Sequence, residues 1–348
     1  MPEQAAARYT FPAAPNSVTN GRAGRPGAIL GESASIEQLR DVIDLVAQGD
    51  ANVLIAGESG TGKELVAREI HACSARRSQP FVAVNCAALP ANLMESELFG
   101  HVRGAFTDAK QSHEGLFVQA GMGTVFLDEI GEMPLDLQAK LLRVVEDRSV
   151  RPVGSEAEVP VRARVLAATN RDLEADVESR RFRDDLYYRI NVVDVCVPPL
   201  RARGTDVLLL ARHFLRRHAL AAEKFVTDFG PRAVRCLLDH PWPGNVRELD
   251  NCVLRAVTLA RGSEIRREDL PPRIQNSPGS SVELASERPE DLITLTELER
   301  RYVRRVLLAA GGNKTAAARI LGVDRRTLYR LCDRLDVRIG GRSEHTGT

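Results

Sequence analysis

The chain has 348 residues, of which 43% are hydrophobic and 27% charged, which is enough for two or three domains with buried cores. No apolar run approaches the roughly eighteen residues that suggest a membrane span, and no signal peptide is evident, so we expect a cytoplasmic protein without a membrane partner. The net charge is only +1, and the six cysteines form no C-x-x-C pair, which argues against a zinc site or a disulfide framework.

The first two thirds of the chain have the pattern of an α/β protein. Residues 1–27 are rich in Ala, Pro, Gly and Asn and are expected to form a disordered arm. Over residues 28–200, β-type runs such as NVLIAG, PFVAVNC, GTVFLDEI and VRARVLAATN alternate with charged helical stretches. That alternation predicts a parallel sheet flanked by helices.

The β-type runs stop after residue 200. Residues 201–270 show only helical patterns, at 206–218, 231–238 and 246–260, which predict a small helical subdomain. The Pro-, Ser- and Gly-rich residues 271–291 predict a flexible linker, and a compact helical domain is expected over 292–348.

A glycine-rich loop follows the first β-type run and opens a helical pattern. Its residues are Gly57, Glu58, Ser59, Gly60, Thr61, Gly62 and Lys63. In the order strand, loop, helix, the glycines let backbone N–H groups surround phosphates, the helix N-terminus adds partial positive charge, and Lys63 supplies a full charge. The general pattern has Ser or Thr after the lysine to reach magnesium, whereas this chain has Glu64, which we also include in the predicted nucleotide-binding residues.

Two acidic residues end a later apolar run, TVFLDE at 124–129. Because open α/β sheets bind ligands at the carboxyl ends of their strands, Asp128 and Glu129 are expected at the same edge as the glycine loop. Asp128 is predicted to hold Mg²⁺, directly or through water, and Glu129 to polarise the water that attacks ATP. The two motifs together predict an ATPase.

The C-terminal region has the pattern of a helix-turn-helix. The predicted order is a helix over 292–310, a break at 311–313, a helix over 314–321, a glycine turn at 322–323 and a second helix to about 335. Residues 292–342 contain 12 Lys and Arg against 5 Asp and Glu, which favours nucleic acid as the partner. The residues expected to contact DNA are Lys314, Thr315, Arg325, Arg326, Thr327, Tyr329 and Arg330.

With these motifs placed, residues 29–342 resemble the bacterial enhancer-binding proteins, the AAA+ activators of sigma-54 RNA polymerase. The motifs that carry the resemblance are GESGTGKE, ESELFGH, GAFTDA, FLDEI, FRDDLYYRI and WPGNVREL. The resemblance implies an AAA+ P-loop NTPase with a helical lid, followed by an all-α Fis-type helix-turn-helix. It also implies ATP and Mg²⁺ as ligands, upstream double-stranded DNA and the sigma-54 holoenzyme as partners, and a homo-oligomeric ring, predicted to be a hexamer.

The same resemblance implies roles for five further residues. Asn85 is implied to pair with Glu129 and to switch with the nucleotide state, and Asn170 to sense the γ-phosphate. Arg183 and Arg189 resemble arginine fingers that reach the ATP of a neighbouring subunit, which suits phosphoryl transfer because an arginine supplied in trans makes hydrolysis depend on assembly. Arg247 resembles the second sensor, in the lid.

The loop that would contact the sigma factor departs from the family signature GAFTGA. It reads Gly104, Ala105, Phe106, Thr107, Asp108 and Ala109, with aspartate in place of the second glycine. Phe106 and Thr107, which the resemblance implies make the contact, are retained. Aspartate tolerates positive φ better than most residues, so the turn is expected to survive, but it adds a negative charge at the contact.

Three alternatives remain open from the sequence. The first is an AAA+ DNA-binding regulator or repressor that does not act on sigma-54, for which Asp108 is the only support. The second is an ATP-dependent unfoldase without a role in transcription, and the third is a DNA-binding scaffold with a vestigial ATPase. No receiver or ligand-sensing pattern precedes Ile29, so control is expected from a partner protein, from expression level, or from a region absent from this sequence.

Overall fold

The computed structural model describes residues 29–105, 111–275, 294–310 and 314–335. Contacts between residues divide the chain into two compact units, Met1–Asn276 and Ser277–Thr348. Four predicted features lie wholly or mostly outside the described residues, namely the arm at 1–27, the loop residues 106–109, the linker from 276 onwards and the break at 311–313.

Strands of the first unit form one central sheet and three small pairs. In the described residues they are β1 (Val53–Ala56), β2 (Phe81–Asn85), β3 (Gly100–His101), β4 (His113–Glu114), β5 (Thr124–Asp128), β6 (Ser149–Val150), β7 (Val159–Pro160), β8 (Arg164–Thr169), β9 (Val193–Cys196), β10 (Asp228–Phe229) and β11 (Glu264–Ile265). The central sheet is parallel, with strand order β2-β5-β8-β1-β9. It confirms the predicted α/β class.

Helices cover both faces of this sheet and form most of the lid and of the second unit in the described residues. In the first unit they are α1 (Ala34–Ala47), α2 (Lys63–Cys73), α3 (Ala91–Phe99), α4 (Leu116–Gln119), α5 (Leu135–Asp147), α6 (Leu173–Glu178), α7 (Asp184–Ile190), α8 (Asp206–Ala221), α9 (Pro231–Asp239), α10 (Asn245–Leu259) and α11 (Pro272–Gln275). In the second unit they are α12 (Leu295–Ala309), α13 (Lys314–Leu321) and α14 (Arg325–Arg334). None of the helices in the described ranges is long and apolar enough to cross a membrane.

Alternate residues of the buried strands supply two separate cores. Ile55 and Phe126 pack on one face of the sheet with residues of α1 and α2. Their sequence neighbours Leu54 and Leu127 pack on the opposite face with residues of α3 and α5. Because both faces are covered, the central strands are apolar over most of their length, which makes them recognisable as continuous runs in the sequence. The edge strand β9 contains the charged Asp194 and was not among the runs singled out from the sequence.

Helices α8 to α11 form the lid, a helical subdomain with its own core. Three of them match the predicted helices to within three residues at each end. Trp242 is fully buried there, and its indole N–H donates to the carbonyl of Leu237. The first residues of the predicted linker belong to this subdomain instead, because Ile274 of α11 is fully buried in the lid core.

A short segment before α1 contacts both the sheet and the lid. Ile29 packs in a core of the sheet, whereas Leu30 packs against the core of the lid. Asp206, the first residue of α8, accepts hydrogen bonds from the backbone N–H groups of Glu32 (2.7 Å) and Ser33 (3.2 Å) and from the Ser33 hydroxyl (2.6 Å). The segment is therefore fixed between the two halves of the first unit.

The second unit is a small three-helix core. Val306, Ala317, Leu328 and Cys332 are buried together. Gly322 lies between α13 and α14 with φ +66°, a left-handed conformation that glycine adopts without strain. These elements confirm the predicted helix–turn–helix order.

Candidate active site and nucleic-acid interface

The glycine loop connects the end of β1 to the start of α2, as the motif predicted. Gly60 and Gly62 have φ values of +77° and +100°, which most other residues would adopt only with strain. The Thr61 hydroxyl donates to the carbonyl of Glu58 within the loop. Lys63 is 6% exposed, and its ammonium group donates to the Gly57 carbonyl at 3.0 Å. Buried positive charge at a helix N-terminus produces a site for phosphate groups.

The two acidic residues lie beside this loop. Asp128 is the last residue of β5, and the carboxylate of Glu129 lies 3.5 Å from the ammonium group of Lys63. The backbone N–H of Asn170, just after β8, donates to the other oxygen of Glu129 at 3.2 Å. The structure therefore brings Lys63, Asp128, Glu129 and Asn170 together at one edge of the sheet.

Burial raises the pKa of Asp128, and the negative charge of Glu129 raises it further. Such a pair of carboxylates is stabilised by a cation, and carboxylate oxygens are ligands that Mg²⁺ prefers. The donor set at the end of β5 thus fits a magnesium ion. Glu64, which replaces the usual Ser or Thr, does not extend this donor set, because its carboxylate pairs with Arg68 one turn further along α2, at 2.7 Å.

Asn85 ends β2, and its neighbour in the sheet register is Asp128. Its side-chain oxygen accepts a hydrogen bond from the backbone N–H of Ala87 at 2.8 Å, which caps the turn after the strand. The implied pairing of Asn85 with Glu129 is not formed between these two described residues, and the Glu129 carboxylate instead contacts Lys63 and the backbone N–H of Asn170. The nucleotide-dependent role of Asn85 stays a prediction.

The two predicted arginine fingers lie at opposite ends of α7 and form ion pairs within their own chain. Arg183, just before the helix, pairs with Asp185 at 2.6 Å, and Arg189 pairs with Glu146 at 2.7 Å. Both guanidinium groups are exposed, at 41% and 61% of their side chains. They are thus available at the surface of a single subunit.

The lid contacts the glycine loop directly. The backbone N–H of Arg247 donates to the Gly60 carbonyl, and its guanidinium donates to the Ser59 hydroxyl, each at 3.2 Å. Arg201 and Asn245 also reach the loop, at Glu58, and neither was singled out from the sequence. Asn245 stands in the motif WPGNVREL, so the motif was a signal for it, whereas Arg201 has no sequence signal because Glu58 lies 143 positions away.

The base of the predicted sigma-contact loop is formed by β3 and β4, which pair antiparallel with His101 opposite His113. Gly104 has φ +82°, which favours glycine at the start of the turn. Ala105 is the last loop residue that the structure describes on this side, and Phe106 to Ala109 lie outside the described residues. A Cβ on Gly154, between β6 and β7, would lie 2.8 Å from the Ala105 Cβ, so these two segments are in close contact.

The predicted DNA-contacting residues are grouped on α13 and α14. Lys314 Nζ lies 4.9 Å from the centre of the Tyr329 ring, and the Arg325 guanidinium lies 6.0 Å from the same ring. These two cations lower the pKa of Tyr329. Arg326 and Arg330 are exposed on α14, as is Thr315 on α13.

Thr327 has a structural contact of its own. Asp324 caps α14 by accepting hydrogen bonds from the Thr327 backbone N–H (2.9 Å) and hydroxyl (2.6 Å). The Thr327 hydroxyl is therefore engaged within the chain.

Comparison with protein families gives three consecutive matches. The model described as the sigma-54 interaction domain matches residues 29–196, the AAA+ ATPase lid domain matches residues 201–287, and the bacterial regulatory protein, Fis family, matches residues 294–331.

Individual relatives match across most of the chain. The transcriptional regulatory protein ZraR of Salmonella typhimurium is 48% identical over 300 residues, which is 86% of this chain and 67% of that protein. The regulatory protein AtoC of Escherichia coli is 46% identical over 310 residues, covering 88% and 67% of the two chains. The crystal structure of NtrX from Brucella abortus in complex with ATP has a TM-score of 0.70 and 34% identity, and covers 89% of this chain and 70% of that one.

These matches favour an activator over a regulator that does not act on sigma-54, and an AAA+ P-loop NTPase domain implies ATP hydrolysis. The three matches follow the order of the sheet subdomain, the lid and the three-helix unit described above. The chain belongs to the family of sigma-54-dependent transcriptional activators, in which an AAA+ ATPase is joined to a Fis-type helix-turn-helix.

Proposed function

We propose that this chain couples ATP hydrolysis to remodelling of the sigma-54 RNA polymerase at promoters, while its helix-turn-helix holds it on upstream DNA. The observation that carries the proposal is the meeting of Lys63 and Glu129 at the glycine loop, in a chain that also presents a basic helix α14. The motor comprises residues 28–200 and a lid that extends from 201 through α11 to 275, the linker is 276–291, and the DNA-binding domain is 292–348. The protein acts in the cytoplasm.

The residues of the site divide the work of hydrolysis. Backbone N–H groups of the glycine loop and the Lys63 ammonium group bind the phosphates of ATP. Glu129 polarises the attacking water and accepts its proton, and Asn170, whose backbone N–H holds Glu129, lies where it can sense the γ-phosphate. Asp128 holds Mg²⁺, which neutralises charge on the phosphate oxygens when it is bound.

Hydrolysis depends on assembly into a homo-oligomeric ring, which we propose is a hexamer. Arg183 and Arg189 are exposed at the ends of α7, so they can reach a neighbouring subunit. Arg247 completes the site from the lid of the same subunit. An arginine supplied in trans stabilises the transition-state charge, and this makes an isolated subunit a poor ATPase.

The sigma-contact loop transmits to the sigma factor the conformational change that ATP hydrolysis produces in the motor. Phe106 is the apolar contact, Thr107 its polar neighbour, and Asp108 shapes the turn. The experiment is open-complex formation in vitro with purified sigma-54 holoenzyme and ATP, on a promoter that carries the protein's own binding site. Wild type should open the promoter, and Phe106→Ala should abolish opening while leaving ATP hydrolysis and ring assembly intact.

The variant Asp108→Gly restores the family signature and serves as the matched control in the same loop. It should be tolerated or mildly beneficial, because glycine adopts any turn conformation readily and removes a charge at the proposed contact. A wild-type protein that hydrolyses ATP but opens no sigma-54 promoter would contradict the proposal. If Asp108→Gly then opened the promoter, Asp108 alone would account for the inactivity of the wild-type loop.

A further inference from the structure

Asn245 joins three parts of the motor through one buried side chain. It is the first residue of α10, it is 0% exposed, and its φ of +50° is a left-handed conformation that asparagine tolerates better than most residues. Its side-chain oxygen accepts the backbone N–H of Leu200 at 2.8 Å, at the junction between sheet and lid. Its side-chain nitrogen donates to the Ser59 carbonyl and to the Glu58 carboxylate, each at 3.1 Å.

The pattern of these bonds requires an amide. Both N–H groups of the side chain point at oxygen acceptors of the glycine loop, while the oxygen faces a donor. Aspartate could still accept from Leu200, but its second oxygen would face the Ser59 carbonyl and the Glu58 carboxylate. In a buried position that repulsion is weakly screened by solvent.

Arg201 secures the same contact from the solvent side. Its guanidinium forms a bidentate pair with Glu58, with distances of 2.8 and 2.5 Å. This pair, with the hydrogen bond from Asn245, lowers the pKa of Glu58 to about 2, so the carboxylate stays charged even in mild acid. Glu58 therefore accepts hydrogen bonds from Arg201, just after the sheet, and from Asn245, at the start of α10 in the lid.

The backbones of the loop and the lid also touch. A Cβ added to Gly60 would overlap the carbonyl oxygen of Gly244, and the Gly60 carbonyl accepts the N–H of Arg247. The lid therefore cannot tilt away from the glycine loop unless these contacts and the bonds of Asn245 break together. The distance between Lys63 and Arg247, which hold the phosphates from two sides, depends on the same contacts.

We propose that Asn245 is a positioning residue for nucleotide binding: its amide holds Ser59 of the glycine loop against the first turn of α10, and so sets the place of Arg247 relative to Lys63. The inference rests on the nucleotide site proposed above. By linkage, a nucleotide that orders the loop favours this lid position, and a lid held in this position favours the nucleotide by the same factor.

The test compares Asn245→Asp with Lys224→Met in the full chain. Lys224 donates to carbonyls at the opposite, C-terminal end of α10 (Val257 and Thr258), so Lys224→Met destabilises the lid without touching the glycine loop. The readouts are the Kd for a fluorescent N-methylanthraniloyl ADP, which needs no turnover, the KM and kcat for ATP, and the midpoint of thermal unfolding. All are measured on protein that is folded at the assay temperature.

Asn245→Asp should weaken ADP binding about tenfold or more, because buried polar groups lose their partners and like charges meet. KM should rise by a similar factor while kcat changes less, and Lys224→Met should bind ADP normally even if it melts as early. A purely structural role would lower the active fraction, and hence kcat, without raising KM. An unchanged Kd in Asn245→Asp, or an equal loss in Lys224→Met, would overturn the proposal.

A rescue experiment and a milder variant complete the design. Adding Glu58→Gln to Asn245→Asp supplies an amide that can donate to the new carboxylate, and should recover part of the affinity. If Asn245→Asp does not fold, Glu58→Ala tests the same contact at a half-exposed position, where substitution disturbs folding less. Glu58→Ala should weaken ADP binding about threefold, and unchanged binding would refute the inference. Lys63→Ala distinguishes failure of the proposed nucleotide site from failure of the role proposed for Asn245. ADP binding that survives Lys63→Ala would refute the nucleotide site itself.

Discussion

Arg183 is held by Asp185, two residues further along α7, with 2.6 Å between Nη2 and Oδ2. The backbone of Arg183 is fixed as well, because its N–H donates to the side chain of the fully buried Gln138 at 2.8 Å. A side chain that is exposed on a rigid backbone and held by a local carboxylate is suited to exchange that carboxylate for an anion of another subunit.

If Arg183 acts across subunits, two inactive variants should complement each other. Arg183→Ala retains an intact nucleotide site, and Lys63→Ala retains an intact arginine, so mixed rings should hydrolyse ATP although each variant alone falls by about a thousandfold. The measurement is steady-state ATP hydrolysis against mixing ratio. Arg212→Ala, which removes an exposed ion pair in the lid, is the control and should keep its activity. No recovery in confirmed mixed rings would argue for an arginine that acts within its own subunit.

Variants at Lys63 and Glu129 should affect nucleotide binding and ATP hydrolysis separately. Lys63→Ala removes the charge that holds the phosphates, so nucleotide binding should be lost. Glu129→Gln should bind ATP but hydrolyse it at least about a hundredfold more slowly, since general-base assistance is removed. Glu132→Gln is a matched control three residues away, where the carboxylate pairs with Arg171. ATP turnover by Glu129→Gln at the wild-type rate would show that another group activates water.

The arginines of α14 should differ in how they affect DNA binding. Replacing a base-reading residue, Arg326 or Arg330, by alanine should cost about 1–3 kcal/mol and relax specificity at one base pair. Tyr329→Leu removes the ring that holds Lys314 and Arg325, and should weaken binding to all sequences alike. Binding curves on the specific site and on random DNA measure both effects, with Arg304→Ala on α12 as the control. A uniform loss for Arg326→Ala or Arg330→Ala would mark that arginine as a phosphate contact.

Stability should fall as the pH drops below about 6.5. His71 is 8% exposed, and its ring lies 2.9 Å from the Thr124 hydroxyl and 5.3 Å from the Phe81 ring centre. Burial lowers its pKa below the reference value of 6.5, so in acid the unfolded chain binds a proton that the folded chain refuses.

The measurement is the midpoint of thermal unfolding of wild type and His71→Gln between pH 7.5 and 5.5. Glutamine does not titrate, so the variant should start less stable but lose stability less steeply. Burial lowers the pKa of His213 and His240 in the lid as well, so part of the slope should remain. Equal slopes in the two proteins would show that His71 does not contribute.

The parts of the fold that were predictable depend on local patterns. The glycine loop had to follow a strand and open a helix, and it does so between Ala56 and Lys63. The helix over 314–321 was predicted with its observed ends, because a glycine turn and apolar spacing fix it locally. The paired acids were placed correctly because parallel strands carry their carboxyl ends to one edge.

The remaining parts depend on contacts between distant residues. Arg201 and Asn245 reach Glu58 across 143 and 187 positions, and no local pattern records such a pair. Asn85 accepts a hydrogen bond from Ala87 two residues further on, a local contact that the implied role of Asn85 did not include. Strand β9 was missed because the exposed Asp194 interrupts its apolar run, and its place in the sheet comes from pairing with the distant β1.

The segment that begins at Ile29 has a consequence for cooperativity. Adjacent residues, Ile29 and Leu30, are built into two different hydrophobic cores, and Asp206 fixes the same segment to the first turn of the lid. Neither core can open without disrupting contacts that the other core shares, so partial unfolding of the lid alone is disfavoured. We therefore expect the sheet and the lid to unfold in one cooperative transition, in which a destabilising change in either half lowers the stability of both.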